Sequence, residues 1–241
     1  MNRVHLINNI IQKGNFKRYL EIGTRSGSSL YAIGCKNKIA IDPNFIIPKM
    51  EKLKRKVFDI KNNRKTHYFE MTSDDFFDQK KSFIKTFGNI DIALVDGMHT
   101  YHQALKDVLN ILPLMNEKSI IVMHDCFPVS EPASTAYNSE EFLAKEKHPD
   151  WTGEWNGDTW KAILYLLKKY PQDLDVFVLD TDYGLGIVQK KHNLPINVEL
   201  DTDLFRQFIP YTYQDLKKNP QELINLKPKE IVPSLINRFH Y

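Results

Sequence analysis

An alternation along the chain limits most strongly what it can fold into. Short runs rich in Ile, Val and Tyr, at 18–22, 38–41, 66–69, 90–95 and 119–123, are separated by longer stretches with helical spacing, near 28–35, 49–60, 74–87 and 101–112. Runs that are apolar on both sides are what a strand buried on both faces of a parallel sheet requires. The alternation predicts βαβ units and a doubly wound α/β sheet.

The pattern changes after residue 126. Residues 127–156 are rich in Pro, Ser, Glu and Trp and delay the next helix to about 157–170. Two further runs, 175–179 and 185–189, flank Asp180-Thr181-Asp182-Tyr183-Gly184. Strand runs joined by turn-forming residues make an antiparallel hairpin. The expectation is a mostly parallel sheet of seven strands closed by that hairpin. A domain over 1–191 carries an aromatic insert at about 127–160. Residues 192–241, with scattered prolines and aromatics, form a helical extension that packs on the domain or serves a homo-oligomer.

Composition narrows the partners. In 241 residues, 33 basic and 30 acidic side chains leave a net charge of +3. That balance supplies no electrostatic case for nucleic acid or a membrane surface. The two cysteines, Cys35 and Cys126, are too few and too far apart for a disulfide framework or a thiolate zinc site. The first residues read as an amphipathic helix and not as a signal peptide, and no stretch approaches a spanning helix. A soluble, cytoplasmic protein is expected.

The strongest local motif is Tyr19-Leu20-Glu21-Ile22-Gly23-Thr24-Arg25-Ser26-Gly27-Ser28-Ser29. A strand ends beside an acid, a turn holding Gly23 and Gly27 follows, and a helix opens with serines. Thr24-Arg25 stands where a pyrophosphate-binding loop carries its second glycine, and no Gly-Lys-Ser/Thr is present. The loop therefore suits a nucleoside without a pyrophosphate, with Glu21, Gly23, Thr24, Arg25, Gly27 and Ser28 around it. Asp42, ending the next strand, can accept both ribose hydroxyls. Ser73 and Asp74, after the third strand, fall where an adenine edge would lie. The plainer alternatives are that Asp42 opens a turn and Ser73 caps a helix.

The ordered set Glu21–Gly27, Asp42, Asp96 and the closing hairpin resembles class I S-adenosylmethionine-dependent methyltransferases, which have a Rossmann-like fold. Val95-Asp96-Gly97-Met98-His99-Thr100-Tyr101, Asp107 and Val122-Met123-His124-Asp125 are similar, more narrowly, to the family-24 type. Macrocin-type sugar O-methyltransferases and catechol-type enzymes are its wider relatives. The resemblance covers about residues 15–191. It implies S-adenosylmethionine as donor, bound also by Asp96, with Arg25 in reach of the methionine carboxylate or turned to solvent. It implies a hydroxyl acceptor that is small and sugar-containing.

Asp96 and His124-Asp125 fall at the C-terminal ends of consecutive strands, the edge where open α/β sheets bind ligands. Methyl transfer to a hydroxyl needs alignment and removal of a proton, by a general base or by a cation that acidifies the hydroxyl. His99 stands where the catechol-type enzymes carry a basic lysine, and an imidazole suits that task near neutral pH. Asp96, His124 and Asp125 form a candidate set for Mg2+ or Mn2+, with the histidine tilting toward a softer ion. Trp151 and Trp155 are the acceptor candidates, while Trp160 reads as a buried start of the next helix. Two rival readings remain: a non-catalytic nucleoside-binding or scaffold protein, and a nicotinamide-dependent oxidoreductase. The loop's missing glycine and the hairpin count against the oxidoreductase.

Overall fold

The computed structural model describes residues 1–239. Eight strands form one sheet: β1 (Arg18–Ile22), β2 (Asn37–Asp42), β3 (Lys65–Glu70), β4 (Ile92–Val95), β5 (Ile120–Met123), β6 (Leu174–Leu179), β7 (Leu185–Lys190) and β8 (Leu226–Lys227). Their order is β3-β2-β1-β4-β5-β7-β6-β8. Strands β1 to β5 run parallel, while β7 is antiparallel to both β5 and β6. This is the Rossmann-like, doubly wound sheet with its late hairpin.

The expected count of seven strands is corrected to eight. The added strand, β8, comes from the C-terminal segment and pairs parallel with β6 through Val178↔Leu226 and Leu179↔Lys227. A two-residue strand has no period to read, and only the neighbouring edge of β6 makes it a strand.

Because β1 lies between β2 and β4, the winding reverses there, and a crevice opens above the C-terminal ends of β1 and β4. Successive residues of each strand serve opposite faces. Leu20, Ile22, Val95 and Met123 join one core, with the helices Tyr101–Ile111 and Trp160–Lys169. Tyr19, Leu94 and Val122 join the other, with the helix Arg3–Gly14. Trp160 is fully buried, as expected of the first residue of its helix.

The stretch read as one helix over 74–87 is two, Ser73–Gln79 and Lys81–Phe87, which meet at Lys80 (φ −106°, ψ 22°). Thr72 caps the first, its Oγ1 accepting from Asp75 N at 3.1 Å, which leaves the Ser73 hydroxyl free for another role. The C-terminal segment enters both cores: Phe208, Leu216 and Ile224 one, Val232 and Leu235 the other. Among the described residues no helix is long and apolar enough to cross a membrane.

Candidate active site

Strand β1 delivers its chain end directly against β4. Gly23 has φ 86°, and a Cβ there would lie 1.8 Å from the Asp96 carbonyl oxygen. The glycine is required by this backbone approach, which brings the loop and Asp96 together. Beneath it Glu21 is buried and accepts from the Tyr19 hydroxyl at 2.6 Å. Burial pushes its carboxyl up to about 7. The Thr24 hydroxyl is buried in the loop with no hydrogen-bond partner among the described residues.

At the end of β2, Asp42 Oδ2 accepts from Arg25 N and Oδ1 from Asn44 N, both at 2.7 Å. Each oxygen keeps a lone pair for a ligand. A lobe of about 580 Å3 extends from Asp42 past Ser73 and Asp74 to Gln103 and Asp107. Gln103 Nε2 ties this lobe together, its two N–H groups shared among Ser73 Oγ at 3.1 Å, Asp74 Oδ1 at 3.2 Å and Asp107 Oδ1 at 3.0 Å. Asp107 is buried here with its carboxyl pushed up to about 7 by burial.

The ends of β4 and β5 converge on the adjoining cleft of about 760 Å3. His124 Nδ1 lies 2.9 Å from Asp125 Oδ2 and 3.2 Å from Asp96 Oδ1. His99 Nε2 lies 3.3 Å from the same Asp125 oxygen and 3.4 Å from the same Asp96 oxygen. Asp125 Oδ1 is held by Asn156 Nδ2 at 2.5 Å. Burial works against charge on both rings, but the carboxylates outweigh it, and both imidazoles are raised above the ordinary histidine range. Asp96 moves the other way: burial opposes ionisation, and the two imidazoles overcome that and hold it low.

The orientation of His99 is informative. Its Nδ1 sits 3.1 Å from the Trp155 carbonyl oxygen, which can only accept, so Nδ1 carries the hydrogen. Nε2 of the neutral ring then directs a lone pair at two carboxylate oxygens. Only a positive charge, a proton or a cation, makes that arrangement favourable.

Three contributions escaped sequence reasoning. Arg3 reaches in from the N-terminus, with Nε 3.3 Å from Asp96 Oδ2 and Nη1 3.0 Å from His124 Nε2. Asp182, from the hairpin turn, accepts from Arg3 N at 2.7 Å and lies 3.8 Å from His124 Nε2. Tyr137, in the insert, lines the cleft with its ring 5.9 Å from that of Trp155. The turn residues and the aromatic insert were visible signals for Asp182 and Tyr137; nothing in the sequence pointed to Arg3.

Of the expected residues, Arg25, Ser28 and Trp155 line the reaction cleft with Glu21, Gly23 and Thr24. Gly27 (φ 77°) makes the turn that opens the helix Ser28–Ala32. Trp151 does not line the cleft; its ring lies under Lys145, 5.6 Å from Nζ. Gly157 (φ 65°) seats the insert, since a Cβ there would fall 1.8 Å from the His99 carbonyl oxygen.

Arg25, His99, Asp125, Asp182 and Tyr183 all adopt positive φ without being glycine. Such conformations cost roughly 1–3 kcal/mol each and persist where the surroundings impose them. The largest cleft described, about 1080 Å3, opens elsewhere, between Asn8, Phe16, Lys17 and Lys65. Its described lining holds no carboxylate or imidazole; those groups gather in the strand-end crevice.

Fold, glycine loop and strand-end acids are similar to those of class I S-adenosylmethionine-dependent methyltransferases. Residues 20–126 match the family model Methyltransf_24, described as a methyltransferase domain. No curated protein matches the sequence. Solved structures resemble it in fold. TomG, an O-methyltransferase of tomaymycin synthesis from Streptomyces achromogenes, solved with S-adenosylmethionine, is 11% identical, with 78% of this chain and 79% of that one covered and a TM-score of 0.55. An O-methyltransferase from Bacillus cereus, solved with S-adenosylhomocysteine, is 13% identical over 78% and 80%, with a TM-score of 0.53. A candidate caffeoyl-CoA O-methyltransferase from Staphylococcus aureus is 17% identical over 78% and 82%, with a TM-score of 0.55.

Proposed function

We propose that the chain transfers the methyl group of S-adenosylmethionine to a hydroxyl of a small, sugar-containing acceptor. The observation that carries this reading is the meeting of Asp96, His99, His124 and Asp125 at one end of a crevice whose other end is the Asp42 and Gln103 lobe. In this reading Asp42 takes the ribose hydroxyls, and Ser73 and Asp74 stand at the adenine edge. The unpartnered Thr24 hydroxyl and the Gly23 turn face the sulfonium end. Asp96 then marks where donor and acceptor meet. Holding the two in line contributes roughly 7–11 kcal/mol of the barrier.

His99 removes the acceptor proton. Its Nδ1 is fixed on the Trp155 carbonyl, so Nε2 is the atom that receives the proton, and Asp96 and Asp125 stabilise the charge that forms. Asp96, His124 and Asp125 also fit a divalent cation such as Mg2+ or Mn2+, since ligand atoms from all three lie within 4.8 Å of one another. A cation bound there would lower the pKa of the acceptor hydroxyl. Asp182, 3.8 Å from His124 Nε2, adds a third carboxylate beside the imidazole.

Trp155 and Tyr137 supply flat walls beside His99, and Trp155 is held by Nε1 donating to the Thr135 carbonyl at 2.8 Å. Aromatic faces beside polar groups suit the mixed surface of a sugar.

A labelled-methyl assay against pools of glycosides and simple phenols tests this reading. Transfer to glycosides that exhaustive chelation abolishes and Mg2+ or Mn2+ restores is the expected result. Transfer that survives chelation removes the cation. Transfer to phenols alone removes the sugar.

A further inference from the structure

Arg3 has no place in the chemistry described so far, yet the fold takes trouble to hold it in the cleft. Its backbone N–H donates to Asp182 Oδ2, and the Met1 carbonyl accepts from Thr181 Oγ1 at 2.6 Å. Asn2 caps the helix that follows, its Oδ1 accepting from His5 N at 3.0 Å. Hairpin turn and helix cap together fix the one residue between them whose side chain enters the site.

The guanidinium has five N–H donors. Nη1 is engaged by His124 and by Asp182 Oδ2 at 3.3 Å. Nε is buried and makes no hydrogen bond among the described residues, although Asp96 Oδ2 is 3.3 Å away. A buried donor without a hydrogen-bond partner, on a side chain that lines a ligand cleft, is an unmet requirement for an acceptor atom.

The shape of the crevice says what that acceptor is. A nucleoside whose ribose is on Asp42 has its base in the Ser73 and Gln103 lobe, so its 5′ substituent runs the opposite way, past Gly23. Glu21, Ser28, Ser29 and Arg3 line the adjoining cleft and not the Asp42 and Gln103 lobe. An amino-acid tail entering there carries an ammonium, which suits the carboxyls of Glu21 and Asp96, and a carboxylate, which needs a cation or N–H groups. Arg25 lines both this cleft and the Asp42 lobe and binds Asp42 through its backbone N–H, whereas Arg3 lines this cleft alone. Arg3 is the cation on the tail side, and a guanidinium matches a carboxylate in planar, two-point geometry.

We propose that Arg3 is the receptor for the amino-acid carboxylate of the donor, placed in the site by the N-terminal cap and the Thr181-Asp182 turn. The proposal rests on the donor reading above. It makes the N-terminal segment a wall of the donor site, and it makes donor selection depend on the amino-acid tail as well as on the nucleoside.

Calorimetric titration with two probes tests it: S-adenosylhomocysteine, which has the tail, and 5′-methylthioadenosine, which lacks it. For Arg3→Ala, S-adenosylhomocysteine is expected to weaken roughly 10–100-fold, while 5′-methylthioadenosine binds as it does to the wild type. Arg3→Lys, which keeps the charge but not the fork, should recover part of the loss. Unchanged S-adenosylhomocysteine binding in Arg3→Ala overturns the proposal while leaving the donor reading intact. Equal losses for both probes in both variants also overturn it, because a merely structural role moves both probes together. A wild-type protein that binds neither probe overturns the donor reading and this proposal with it.

Discussion

The two halves of the crevice are built in different ways. The nucleoside half draws on adjacent segments: the β1 turn, the end of β2 seventeen residues further on and the start of the Ser73–Gln79 helix, with Asp42 tied to Arg25 across that short span. The reaction half draws on Arg3, Asp96, His99, His124, Asp125, Trp155, Asn156 and Asp182, whose contacts span up to 179 positions in sequence. The first half uses backbone turns and N–H groups, which tolerate side-chain change. The second uses buried charges that support one another, so removing one leaves its neighbours uncompensated. The nucleoside half should therefore respond to mutation in affinity, and the reaction half in rate.

The largest expected effect is on rate. His99→Ala should lower kcat by roughly 10²–10⁴-fold with S-adenosylhomocysteine affinity unchanged, read by steady-state kinetics beside calorimetry. Normal turnover in this variant would remove His99 as the base and erase the contrast between the halves. Asp42→Ala should do the reverse, weakening the donor roughly 10–100-fold with kcat at saturation retained. A collapse of kcat instead would mean that ribose binding and chemistry are coupled.

A third effect concerns stability. Glu21 keeps its proton up to about 7 in the folded protein, against an ordinary value of 4.5. A raised carboxyl pKa means that the folded state binds the proton more tightly than the unfolded chain does. The resulting stabilisation is complete below the unfolded value and is lost as pH rises through the folded one. Denaturant unfolding should show Glu21→Gln with a flatter pH profile across that window, the difference being on the order of 3 kcal/mol. Identical profiles would show that the Tyr19 hydrogen bond keeps Glu21 ionised. The smallest effect should come from Tyr137→Ala, which removes one aromatic wall: a rise of about 5–10-fold in acceptor KM, from roughly 1 kcal/mol of ring contact, with donor binding unaltered. An unchanged KM would move the acceptor off the Trp155 side.

Much of the half around Asp42 was legible. The apolar runs placed β1, β2 and β5 to within a residue, and the strand-end acids marked the crevice edge. The reason is local: strand periodicity, glycine turns and acids closing a strand all lie within a window of a few residues. At Gly23 the structure adds a reason the sequence did not offer: its missing side chain makes room for the Asp96 backbone. The break at Lys80 was hidden because both flanking segments keep helical spacing.

The sequence by itself determined the parallel sheet, the reversal of its winding, the glycine turn after β1 and the strand ends where Asp96, His124 and Asp125 stand. Tertiary structure alone decided that Arg3 and Asp182 join them, that Tyr137 and not Trp151 accompanies Trp155 in the cleft, and that two residues of the tail become an eighth strand. Those outcomes depend on which surfaces meet after the sheet has closed. A side chain carries no mark of a partner more than a hundred residues away; packing and the pairing of buried charges assign it one.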